Sequence, residues 1–286
     1  MTSLTQTGMD DRLRDFFYAY DRALPLNAME EVVEETDEYT KLHVTFASTH
    51  DEVVPATLHL PRQQSGLRPA LLLQHGASTK KDDHYIQQPA RRWSEAGYVC
   101  LAIDAPGHGE RAGESPASRR ELARRGLLHR MRDMFVQGVV DLMRALDYLE
   151  ARPEVDVARI GYMGVSMGTF LGVPLCGMDW RLRSAAFIIG GGNLRRLPGS
   201  RHATGSEEAE LAYQVTDPVV FAPRISPRPV LMLNGEQDET IPRASTEALY
   251  EALREPKEIR WFNMGHTVSG VIYRQTFEFF EETLSV

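Results

Sequence analysis

The chain has 286 residues, 42% of them hydrophobic and 25% charged, and carries a net charge of −8. That balance fits a globular protein with a sizeable core and argues against a nucleic-acid binder, because no basic domain dominates the sequence. Charges already crowd residues 1–22, no later run is long enough to span a bilayer, and there are only two cysteines, Cys100 and Cys176. A secretory leader, a membrane span and a disulfide framework are therefore not expected, and the setting reads as cytoplasmic with reduced, buried thiols.

Residues 10–20 have the spacing of an amphipathic helix, and 39–47 and 53–60 alternate as two antiparallel strands, the second closed by Pro61. The texture then changes. Continuous apolar runs at 69–74 and 98–104 read as strands buried on both faces of a parallel sheet, and further runs end at residues 163, 189, 233 and 262. Helical periodicity fills the gaps: Val139, Leu142, Met143, Leu146 and Leu149 share one face, and 244–253 repeats the pattern before the last strand. Alternating strands and helices predict an α/β fold, a doubly wound, mostly parallel sheet of about eight strands with helices on both faces. With no repeat, linker or low-complexity tract, residues 1–286 read as a single domain.

Between the strand at 159–163 and the apolar stretch Thr169-Phe170-Leu171 stands Gly164-Val165-Ser166-Met167-Gly168. A serine at the apex of a strand–turn–helix needs a strained backbone, and the flanking glycines let strand and helix approach closely enough to push its hydroxyl into the open. Ligands of doubly wound sheets gather at the carboxyl ends of the strands. The loop after 229–233 is Asn234-Gly235-Glu236-Gln237-Asp238-Glu239, and the loop after 259–262 is Asn263-Met264-Gly265-His266. Serine, acid and histidine in that chain order suggest a nucleophile, an orienting carboxylate and a general base. Ser166, Asp238 and His266 are the candidates, with Glu239 the alternative acid. Two backbone amides are expected to meet the oxyanion: Met167 at the helix start, and Ala77 in the turn His75-Gly76-Ala77-Ser78.

His75-Gly76, Asp104-Ala105-Pro106-Gly107-His108-Gly109, the 164–168 elbow, Gly235-Glu236-Gln237-Asp238 with Pro242, and Gly265-His266 resemble the α/β-hydrolase superfamily. The likeness runs over residues 40–285 and is strongest to its dienelactone-hydrolase and acetyl-xylan-esterase-like branch of small serine esterases. It implies the α/β-hydrolase fold with a small cap and a hydrolase free of metal and cofactor. The substrate it implies is a small-molecule ester, cleaved at a short or medium acyl group through an acyl-enzyme. Dienelactone hydrolases proper use a cysteine where this chain has Ser166, so that reaction is not implied. A peptidase or amidase of the prolyl-oligopeptidase type and a catalytically silent binding protein are the alternatives, and a homo-oligomer is possible.

Two insertions bear on specificity. Residues 111–132 hold seven arginines against Glu114 and Glu121, either a solvated basic helix or a cap in which Arg124 and Arg125 draw an anionic substrate. Residues 190–217 lie where a lid is expected. Pro174 predicts a kink or early end in the helix after the elbow. His75 and His108 read as loop braces. The remaining histidines, His43, His50, His59, His84, His129 and His202, lack metal-ligand spacing.

Overall fold

The computed structural model describes residues 11–62, 66–113, 128–197 and 207–285. Nine strands form one sheet: β1 (Met29–Glu35), β2 (Tyr39–Ala47), β3 (Val53–Pro61), β4 (Arg68–Gln74), β5 (Val99–Ile103), β6 (Val155–Val165), β7 (Leu182–Ile188), β8 (Val230–Gly235) and β9 (Lys257–Phe262). Their order is β1-β2-β3-β5-β4-β6-β7-β8-β9. The wing from β1 to β5 pairs antiparallel, and every other neighbour, from β5·β4 to β8·β9, pairs parallel.

The helices are α1 (Asp11–Tyr18), α2 (His84–Glu95), α3 (Leu128–Glu150), α4 (Met167–Met178), α5 (Glu207–Thr216), α6 (Pro218–Phe221), α7 (Arg243–Ala252) and α8 (Gly270–Leu284). They divide the core between two faces. Ala70 and Leu72 of β4 join α3 and α4 side chains such as Leu142, Leu146 and Leu171 in one cluster. Leu71 and Leu73 point the other way, to Ile86 and Trp93 of α2 and Ile272 and Phe280 of α8. The period of two along a strand is what turns one apolar run into two cores. Among the described residues no helix is long and apolar enough to cross a membrane.

The sheet of about eight strands expected from the sequence has nine among the described residues: β1, Met-Glu-Glu-Val-Val-Glu-Glu, is an edge strand with six of its seven residues exposed, so it carries no burial pattern for periodicity to detect. Of the kink or early end expected at Pro174, the early end does not occur: α4 runs through Pro174 to Met178. Its residues from Met167 to Cys176 are all buried, and packing on every side outweighs the hydrogen bond that proline removes. Cys100 and Cys176 are unpaired and buried, as expected, and burial pushes the Cys176 thiol up to about 12.

Candidate active site

The carboxyl ends of β4, β6, β8 and β9 deliver the candidate residues. At the end of β6 the chain turns through Ser166 at φ 54° and ψ −108°, a conformation few side-chain-bearing residues adopt. Its amide donates to Ile188 O at 2.8 Å, which ties the turn to β7. A Cβ on Gly164 would meet Gly168 O at 2.4 Å, and one on Gly168 would meet Gln74 O at the same distance. The two glycines are thus required by contact with backbone, as the motif anticipated.

His266 Nε2 lies 2.9 Å from Ser166 Oγ, and His266 Nδ1 lies 2.8 Å from Asp238 Oδ2. Three side chains from three loops therefore form one unbroken hydrogen-bonded chain. The other carboxylate oxygen, Oδ1, accepts the Thr240 and Ile241 amides at 2.8 and 2.9 Å. Burial pushes the Asp238 carboxyl up. The His266 hydrogen bond and the two amides outweigh that effect and hold it below the usual carboxylate range. The alternative acid, Glu239, is exposed. The acid and histidine loops touch because position 235 has no side chain: a Cβ there would meet Met264 O at 2.4 Å and Gly265 O at 2.6 Å.

The turn after β4 lies against the serine, close enough that a methyl group on Gly76 would stand 3.4 Å from Ser166 Cβ. Ala77 follows in that turn, and Met167 opens α4, where the first amides have no partner within the helix. His75 is a loop brace: buried, it accepts the Ala105 amide on Nε2 at 3.1 Å and donates from Nδ1 to Gly76 O at 2.7 Å. Burial lowers its pKa to about 4, so it stays neutral near pH 7. His108 Nδ1 lies 2.9 Å from Pro106 O, also within its own loop.

Sequence reasoning missed what joins the β4 and β5 loops. Lys81, 1% exposed, reaches Asp104 at 3.2 Å and Asp82 at 2.9 Å and also contacts Glu110. Burial alone would lower the lysine pKa. The hydrogen bonds it donates to Glu110 and Asp82, with the Asp104 charge, overcome it and raise the value. Asp104 also accepts the Lys81 and Glu110 amides at 2.9 and 3.0 Å. No motif announces this cluster, because ordinary residue types meet there only through the fold.

The arginine segment lies partly outside the described residues, Arg124 and Arg125 included. Of its flanks, Arg111 is committed to structure, bonded to Asp141 at 2.6 Å and Glu52 at 2.8 Å, and Arg132 pairs with Asp133. In the second insertion, Gly190–Gly192 pack on α7, where Thr246 Oγ1 donates to Gly190 O at 2.9 Å.

The sequence and the fold both have relatives. The profile of the family described as acetyl xylan esterase (AXE1) matches residues 19–189, and that of serine hydrolase (FSH1) matches 130–269. The chain is 27% identical over 229 residues to the putative hydrolase YtaP of Bacillus subtilis, covering 71% of each chain. The acetyl xylan esterase from Paenibacillus sp. R4 superposes with a TM-score of 0.84 at 24% identity, over 99% of this chain and 97% of that one. Acetyl xylan esterase 1 from Thermoanaerobacterium sp. follows at 0.81 and 20%, over 96% and 93%. At such identities the two structures speak for the α/β-hydrolase fold alone. The AXE1 profile spans more than half of the chain, and on that ground the chain belongs to the acetyl xylan esterase family and is a serine carboxylic-ester hydrolase.

Proposed function

We propose that Ser166, His266 and Asp238 are the catalytic triad of this esterase, with the Ala77 and Met167 amides as its oxyanion hole. The observation that carries the reading is the pair of hydrogen bonds, 2.9 and 2.8 Å, linking hydroxyl to imidazole to carboxylate. Ser166 Oγ attacks the ester carbonyl carbon while His266 Nε2 takes its proton. The carbonyl π electrons move onto oxygen, and the two amides stabilise that oxyanion, each worth about 3 to 4 kcal/mol. The tetrahedral intermediate collapses, the alcohol leaves with the proton from His266, and water repeats the sequence on the acyl-enzyme. Asp238 holds the imidazole with its Nδ1 proton inward and stabilises the imidazolium.

The family description supports a short acyl group, acetyl first, on a carbohydrate or similar alcohol. Family membership favours this over the peptidase and silent-binder alternatives. The buried, unpaired cysteines support a reducing, cytoplasmic setting. We read the chain as one hydrolase domain; the segment expected to form a lid, 190–217, lies partly outside the described residues.

The test is a panel of p-nitrophenyl acetate, butyrate and octanoate beside aminoacyl anilides and acetylated xylan, with wild type and Ser166→Ala. Acetyl esters are expected to be the best substrates, and the alanine variant to lose about 10⁶ in kcat. Equal rates for the two proteins would sink the triad, and a preference for anilides would sink the ester assignment.

A further inference from the structure

Gly76 is held at its amide by Tyr85 and at its carbonyl by Thr79. Its amide donates to Tyr85 Oη at 2.7 Å. Tyr85 Oη lies 2.5 Å from Thr79 Oγ1, and Thr79 Oγ1 donates to Gly76 O at 2.7 Å. Each hydroxyl has one proton, so only one direction satisfies all three bonds. Gly76 N–H donates to Tyr85, Tyr85 O–H donates to Thr79, and Thr79 O–H donates back to Gly76 C=O. The ring closes on the residue where it began. A second donor, His75 Nδ1–H, reaches the same carbonyl at 2.7 Å.

That carbonyl belongs to the peptide unit whose other end is the Ala77 N–H. A trans peptide is planar, so fixing the C=O direction fixes the N–H pointing the opposite way. Bonds accepted by the oxygen also draw charge through the peptide and make its N–H a stronger donor, as in any hydrogen-bonded chain. Gly76 itself stands against Ser166. We propose that Thr79 and Tyr85, with His75 as the second donor, are positioning residues that aim and polarise the Gly76–Ala77 peptide for the oxyanion. The inference rests on the triad reading above and adds to it a specific source for the quality of one donor.

Removing a whole oxyanion donor costs about 10² to 10³ in kcat, so a donor left in place but misaimed and unpolarised is expected to cost about tenfold. The experiment compares wild type, Thr79→Val, Thr79→Ser, Tyr85→Phe and Ser166→Ala on p-nitrophenyl acetate. It also measures inhibition by 1,1,1-trifluoroacetone, whose carbonyl carbon accepts a serine oxygen and leaves an oxyanion in the hole. Thr79→Val and Tyr85→Phe are expected to lower kcat about tenfold, leave KM within about twofold, and weaken the ketone by the same factor as kcat/KM. Thr79→Ser keeps the hydroxyl and is expected to restore all three.

A purely structural role would lower the melting temperature without matching the rate loss to the ketone loss, and that result overturns the proposal. So does a folded Thr79→Val or Tyr85→Phe protein with wild-type kcat and ketone affinity. If Ser166→Ala retains wild-type rate, the triad reading fails first. If it is inactive while the ring variants are unaffected, only the ring is lost.

Discussion

Asp217, in the insertion between β7 and β8, and Asp238, in the loop after β8, do the same local job and end in opposite electrostatic states. Asp217 is 1% exposed and accepts the Asn193, Leu194 and Val219 amides at 2.8, 2.8 and 3.2 Å, which pins the start of the insertion to α6. Burial is the largest influence on it and leaves its pKa raised despite three donors. Asp238 accepts two amides only, yet its pKa is lowered, because it is less deeply buried and has His266 as a third partner. Three backbone amides do not offset the burial of Asp217, whereas two amides and an imidazole hydrogen bond do offset the lesser burial of Asp238. The first arrangement suits a fixed joint and the second a proton-transfer chain.

The sharpest way to break the contrast is to neutralise each acid. Asp238→Asn turns an amide NH2 toward His266 Nδ1 and favours the wrong tautomer, so kcat is expected to fall about 10⁴-fold on p-nitrophenyl acetate with the circular-dichroism spectrum retained. A loss under tenfold would remove Asp238 from the relay. Gly235→Ala drives a methyl group into two carbonyl oxygens of the histidine loop and separates acid from base without touching either. A fall of about 10² in kcat is expected, along with about 1 to 3 kcal/mol of stability.

Asp217→Asn should do the reverse of Asp238→Asn. Amides left facing a donor are expected to cost about 1 to 3 kcal/mol in urea unfolding, with kcat changed by less than about threefold. Equal kinetic damage from the two asparagines would erase the distinction between joint and relay.

The smallest effect is in pH dependence, and its sign differs between the two. A carboxyl with a raised folded-state pKa stabilises fully below its unfolded value, about 3.9, and loses that contribution as pH rises through the folded value. The gap between wild type and Asp217→Asn should therefore narrow as pH rises above about 4. A lowered pKa works the other way: the Asp238 contribution is present above about 3.9 and lost as acid titrates the folded carboxyl. The gap to Asp238→Asn should close as pH falls below about 4, and urea midpoints measured on both sides of that pH read both trends.

Where side chains carry a period or a motif, the sequence was informative. Leu71, Leu72 and Leu73 announced a strand buried on both faces, and such a strand occupies β4. The glycines at 164, 168 and 235 lay in recognisable strings, and the residues those strings nominated meet at hydrogen-bonding distance. What stayed hidden has a common physical cause. β1 buries almost nothing, so no alternation marks it. Thr79, Lys81 and Tyr85 act through the partners a fold brings to them, and a threonine, a lysine and a tyrosine at those spacings look like any surface loop. Pro174 does not end α4 because propensity speaks for an isolated helix and α4 is surrounded by protein.

Ser166 occupies a left-handed backbone position that a residue with a Cβ holds at about 1 to 3 kcal/mol of strain. Glycine would sit there at ease. On the proposed triad, each copy of the chain therefore gives up some resistance to unfolding so that one oxygen atom stays within reach of a bound acyl group. A search for hardier variants run on melting temperature alone would drift toward Ser166→Gly and arrive at a sturdier protein with nothing left to attack its substrate.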